Sequence, residues 1–145
     1  MKPVIVNISI KGAQRVDAKL SGVAQRATDL TPAMKRGGIV MLASVNRNFG
    51  ESGRPSRWVP LAPGTVRQKA RLGYSPLPLI RTGVLRASIS PSTSTNSLKI
   101  GTSVPYAKYH QLGTRSIPAR PYLVFQKQDI RELNQIVKEY IMGGD

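Results

Sequence analysis

The sequence contains no cysteine. That absence removes a disulfide framework, a thiolate metal site and a cysteine nucleophile together. It leaves the compartment open, apart from disfavouring a secreted disulfide scaffold. Histidine occurs once, at His110, and acidic residues number 7 against 22 lysines and arginines. A multi-ligand zinc site or a di-metal site therefore has little to be built from. Long apolar runs are missing too: the longest, Ile39 to Ala43, falls far short of the ~20 residues a spanning helix needs. The opening stretch turns polar at Asn7, too soon for a signal h-region. The expectation is a soluble chain, cytoplasmic when made, with no membrane partner.

What is present is basic. Over 145 residues the net charge is +15, and the length suits one domain spanning residues 1–145. The charge is unevenly spread. No acidic residue falls between Ser52 and Gln128, a window holding twelve basic ones: Arg54, Arg57, Arg67, Lys69, Arg71, Arg81, Arg86, Lys99, Lys108, Arg115, Arg120 and Lys127. So much like charge repels itself unless counterions, nucleic acid or an acidic protein face compensates it.

Periodicity organises the chain. Val4, Val6, Ile8 and Ile10 alternate as a strand, closed by Lys11-Gly12. Val16, Leu20, Val23, Ala24 and Ala27 form one stripe of a helix from about Ala13 to Asp29. Thr31-Pro32 reads as an N-cap and first helical position. The helix it opens runs to Phe49, with Met34, Met41, Leu42, Val45 and Phe49 facing the core. Gly37-Gly38 inside it implies close packing or a bend. From Gly50 to Pro78 prolines and glycines recur, so a long basic loop is expected, holding one short helix from Thr65 to Leu72. Loops of this length are functional or order on a partner.

Thr82 caps a short helix to Ser88; a strand from Ile89, a turn at Ser92–Ser97 and the alternating Leu98, Ile100, Thr102 and Val104 make a hairpin. Pro105 to Leu112 reads as a short helix with proline at N1, stopped by Gly113. Tyr122 to Phe125 is strand-like, and a last helix from Gln128 to Met142 buries Ile130, Leu133, Ile136, Val137, Tyr140 and Ile141 before Gly143-Gly144. The order predicts an α+β fold: a small, mainly antiparallel sheet with helices packed on one face and a long basic loop.

Candidate chemistry is thin. A general base at His110 needs an orienting carboxylate and a nucleophile, yet no acidic residue lies within eighteen positions of it. Beside Tyr106 and Tyr109 it reads as a packed residue. A metal-dependent nuclease needs clustered carboxylates; only Asp129 and Glu132 share a helical face, where they suit a helix N-terminus. Trp58, set among Arg54, Arg57 and Arg67, could stack on a base, anchor a subunit interface or pin the loop to the body. Arg115 and Arg120 lie in a proline- and glycine-stiffened stretch from which they could grip carboxylates bidentately. No zinc-finger spacing, RNP-type aromatic pattern or well-formed helix-turn-helix supports sequence-specific nucleic-acid recognition.

Several stretches, in order, resemble a known family. They are Trp58-Val59-Pro60-Leu61, Thr65 with Lys69, Leu79 to Ile89, Ile100-Gly101, Tyr106-Ala107-Lys108-Tyr109-His110-Gln111-Leu112-Gly113, and Pro118-Ala119-Arg120-Pro121-Tyr122-Leu123. Together they are similar to the tail-completion, or virion morphogenesis, proteins of tailed bacteriophages, including the Mu-like tail proteins. The resemblance covers about Phe49 to Leu123. It implies a structural virion protein and not an enzyme, with no catalytic residue, metal or cofactor. It also implies a ring, hexameric, that completes the tail and joins it to the head or neck. The partners it implies are copies of the chain itself, tail tube or terminator proteins, and neck or connector proteins. DNA passing non-specifically through the lumen is a further contact. The location it implies is the virion, after assembly in the host cytoplasm. Trp58, Gly83, Tyr106, His110, Gly113, Arg120 and Pro121 are its motif positions. The interaction candidates are Arg54, Arg57, Trp58, Arg67, Lys69, Arg71, Arg81, Arg86, Tyr106, His110, Arg115 and Arg120. The alternative from charge alone is a non-specific nucleic-acid-binding protein.

Overall fold

The computed structural model describes residues 4–9 and 21–143. In chain order its elements are β1 (Val4–Ser9), α1 (Ser21–Thr28), α2 (Thr31–Gly50), α3 (Pro63–Arg71), α4 (Val84–Ala87), β2 (Ser90–Thr93), β3 (Ser97–Thr102), α5 (Ala107–Leu112) and α6 (Lys127–Met142). The predicted strand end at Ile10 and helix start at Ala13, with Val16 and Leu20, lie outside the described residues.

Alternation sets the sheet. Its order is β1-β3-β2, antiparallel throughout. Opposed residues share a face, so Val4↔Thr102, Val6↔Ile100 and Ile8↔Leu98 point one way while Lys99 points to solvent. Leu98 and Ile100 are fully buried because α2 lies over β2 and β3 and packs on α6, and α6 in turn meets α1. This is the α+β arrangement expected, with the helices over the apolar face. The paired glycines of α2 serve close approach: a Cβ on Gly37 would overlap Leu133 of α6, and one on Gly38 would stand 3.0 Å from Pro91 Cβ and 3.3 Å from Leu98 Cδ1.

Several boundaries differ for physical reasons. α2 is capped by Leu30, not Thr31, because the Asp29 carboxylate accepts the Thr31 N–H at 2.9 Å, which makes Thr31 the first helical residue. α4 is preceded by Gly83 in the left-handed region (φ 82°), so glycine and not Thr82 makes that turn. α5 begins at Ala107 after Tyr106, leaving Pro105 outside the helix. In α6 the buried residue of the first turn is Asp129, while Ile130 is exposed. The Asp129 carboxylate accepts the Gln126 N–H at 2.7 Å and the Ser44 hydroxyl proton, a need that outranks burying one isoleucine.

Tyr122 to Phe125 is not a strand. The Tyr122 and Leu123 N–H groups donate to Gln111 Oε1 at 3.0 Å each, and Asn48 Nδ2 donates to the Tyr122 and Val124 carbonyls at 2.8 Å each. With side chains supplying its partners, the segment needs no neighbouring strand.

Candidate functional site

The segment between α2 and α4 is built around a few tethers. Gly53 N–H donates to Asn48 O, and Trp58 N–H to Ser52 O. Gly53 adopts φ 107°, and a Cβ there would crowd Trp58 N at 2.8 Å, so only glycine lets the chain turn this tightly. Arg54 reaches inward: its Nε donates to Asn48 Oδ1 at 2.8 Å, and its Nη2 to Ser44 O at 2.8 Å and Ser44 Oγ at 2.6 Å. Trp58 is buried edge-on to Phe49, ring centres 5.9 Å apart, and its indole N–H donates to Pro121 O at 3.0 Å.

The motif stretches interlock at this point. Arg120, only 8% exposed, donates to Val59 O at 2.9 Å and Pro60 O at 3.2 Å, while its own N–H donates to His110 O at 2.7 Å. Tyr122 is fully buried and donates its hydroxyl to Ala107 O at 3.2 Å. Burial, and then the neighbouring Tyr106, pushes the Tyr122 phenol up to about 12. The Trp58, Tyr106–Gly113 and Pro118–Leu123 stretches thus form one knot of indole, guanidinium, amide and backbone groups.

α3 stands out from the body. Lys69 is the one buried residue of this helix, and its ammonium donates to Leu77 O at 2.6 Å and Ile80 O at 2.8 Å. Burial, with Arg81 nearby, pulls its pKa below the ordinary lysine value. A cleft of about 350 Å³ opens here, lined by α3, by the Leu79–Leu85 segment and by Tyr106, His110 and Arg120. Arg81 lies over the Tyr74 ring, its guanidinium carbon 5.1 Å from the ring centre. His110 stacks edge-on to Tyr106 at 5.9 Å, and its buried Nδ1 has no hydrogen-bond partner. Burial, then the Arg120 charge, lowers its pKa and keeps the ring neutral at neutral pH.

The twelve candidates therefore fall into three places. Lys69, Arg81, Tyr106, His110 and Arg120 meet at the cleft. Arg54 and Trp58 are turned into the body beside it. Arg57, Arg67, Arg71, Arg86 and Arg115 are exposed and not part of the cleft lining, Arg86 donating to Asn46 Oδ1 at 2.9 Å. The sequence reading missed Ser44 and Asn48; it placed Asp129 at the N-terminal end of the last helix and Gln111 within a motif stretch, without the partners each one holds. The available signal was Ser44 and Asn48 on the same helical stripe as Met41 and Val45, polar residues at core spacing. Among the described residues no three histidines, cysteines or carboxylates are placed to hold a metal ion. No described helix is long and apolar enough to cross a membrane.

A knot of structural side chains thus lies beside a basic cleft. The chain belongs to the Phage virion morphogenesis family, which matches residues 12–142. It is 32% identical over 143 residues to the Mu-like prophage FluMu G protein 2 of Haemophilus influenzae, covering 94% of this chain and 96% of that protein. No solved structure matches it significantly. Its role is accordingly in building the phage particle.

Proposed function

We propose that the protein completes the phage tail and joins it to the head or neck as a subunit of a closed ring, six copies to the ring. The observation that carries this reading is the family match across nearly the whole chain, residues 12–142. The role is structural and not catalytic: Trp58, Lys69, Arg120 and Tyr122 of the motif stretches are spent on backbone carbonyls, and Gln111 on backbone amides. A ring made by head-to-tail contact needs two different faces on each subunit. The exposed Arg57, Arg67, Arg71 and Arg115 supply basic side chains for such contacts. Its partners are copies of itself, tail tube or terminator proteins and neck or connector proteins, with DNA in the lumen a non-specific contact.

Sedimentation and negative-stain microscopy test this reading. The protein alone or mixed with purified tails is expected to form rings, seated at one tail end. A protein that stays monomeric and never binds tails contradicts it. A second reading, non-specific nucleic-acid binding, draws on the same exposed arginines. It requires an affinity for DNA that falls steeply with salt, and absence of binding at low salt removes it.

A further inference from the structure

We infer that the cleft between α3 and the Leu79–Leu85 segment is a docking site for an acidic, apolar segment of a partner polypeptide other than this chain. Its walls include Leu61, Leu72, Leu79, Ile80, Val84 and Leu85, and two of these remain open: Leu72 is 48% and Val84 53% exposed. An apolar surface beside a concavity gains from being covered by large side chains. At the same site Arg81 is exposed, and lying over Tyr74 orients its guanidinium while leaving its N–H groups for a carboxylate. No carboxylate lines the cleft, since the chain has none between Ser52 and Gln128.

Charge selects the occupant. A second copy offers 7 carboxylates against 22 lysines and arginines, few to set against a cleft that already holds Lys69, Arg81 and Arg120. Nucleic acid fits poorly as well. Phosphates gain nothing from the aliphatic lining, and of its two tyrosine rings Arg81 covers Tyr74, leaving only the half-exposed Tyr106 for a base to stack on. A polypeptide with carboxylates flanking leucine- or phenylalanine-sized side chains satisfies the aliphatic walls and the exposed Arg81 together.

This inference rests on the assembly reading only in expecting a protein partner. Fluorescence anisotropy with the full chain tests it, using a labelled alternating Glu/Leu peptide, matched Glu/Ser and Lys/Leu peptides, and a thymidine oligonucleotide. The Glu/Leu peptide is expected to bind at least about tenfold tighter than the other three probes. Arg81→Glu and Val84→Asp should each weaken it by about tenfold or more, with Arg115→Glu unchanged. Val84 opens α4, where an aspartate is tolerated; unchanged circular-dichroism melting verifies that each variant folds, and Arg81→Gln repeats the charge test should Arg81→Glu not fold. Failure of the Glu/Leu peptide to bind overturns the proposal, as does equal binding of the Glu/Ser peptide. Equal losses in Arg81→Glu and Arg115→Glu overturn it in favour of diffuse attraction. Tighter binding of the oligonucleotide, lost in the same variants, assigns the cleft to nucleic acid instead. A protein that joins tails but binds no peptide loses the cleft proposal alone; one that binds the peptide but joins nothing loses the assembly reading alone.

Discussion

The Lys69 ammonium donates to the Leu77 and Ile80 carbonyls, and burial has already lowered its pKa. Replacing it with methionine keeps the stem's packing but leaves two carbonyls without a donor. Lys69→Met should lower stability by about 2–3 kcal/mol, the worth of hydrogen bonds to a charged group, read from urea unfolding. Residues 63–72 should also become more sensitive to limited proteolysis. His110 makes a different prediction. Its folded pKa lies below the ordinary value, with Arg120 and Tyr106 facing the ring. As pH falls through about 6.5 the unfolded chain takes the proton first. Stability should therefore drop until the lowered folded pKa is passed, and then level off. His110→Gln should flatten that part of the profile, measured as urea midpoints between about pH 7.5 and pH 5.5. An unchanged slope would show that His110 is not the titrating group.

At the scale of elements, Asn48 of α2 carries the segment that replaces a strand. Its side-chain amide donates to the Tyr122 and Val124 carbonyls and accepts from Arg54. Asn48→Ala should cost about 2–4 kcal/mol, summing partners left unpaired in the interior. It should also loosen both the Arg54 turn and the chain leading into α6, read by hydrogen exchange of the Tyr122–Gln126 amides. This segment also marks the limit of sequence reading. The hairpin is legible, since strict alternation in β3 and a Ser/Thr/Asn turn leave few alternatives. α2 is legible from its apolar stripe and its proline. Tyr122 to Phe125 is not, because four apolar residues in a row look like a strand whether their backbone bonds go to a neighbouring strand or to distant Asn48 and Gln111. The same limit hides Asp129 behind Ile130: spacing records hydrophobicity, not the demand of Ser44 and Gln126 for a carboxylate. The candidate site was legible as an ordered set of motifs. That the motifs clasp one another was not, because an arginine contributes the same charge to a sequence whether it faces solvent, as Arg57 does, or two backbone carbonyls, as Arg120 does.

For the whole molecule, the basic excess divides between a scaffold and a surface. Arg54, Lys69 and Arg120 hold the long segment and the motif stretches in place. Arg57, Arg67, Arg71 and Arg115 remain outside that framework. Changing these four to glutamine should alter stability by no more than about 0.5 kcal/mol per site while reducing attachment to tails. Arg120→Gln, in contrast, should unfold more readily than any of the four. Equal effects in both sets would erase the division. The most direct test of the central claim is electron microscopy of particles made by the parent phage with this gene deleted. The account predicts filled heads and uncompleted tails accumulating apart, with joined particles restored when the protein is supplied in trans. A normal yield of joined, infectious particles without the protein would contradict it.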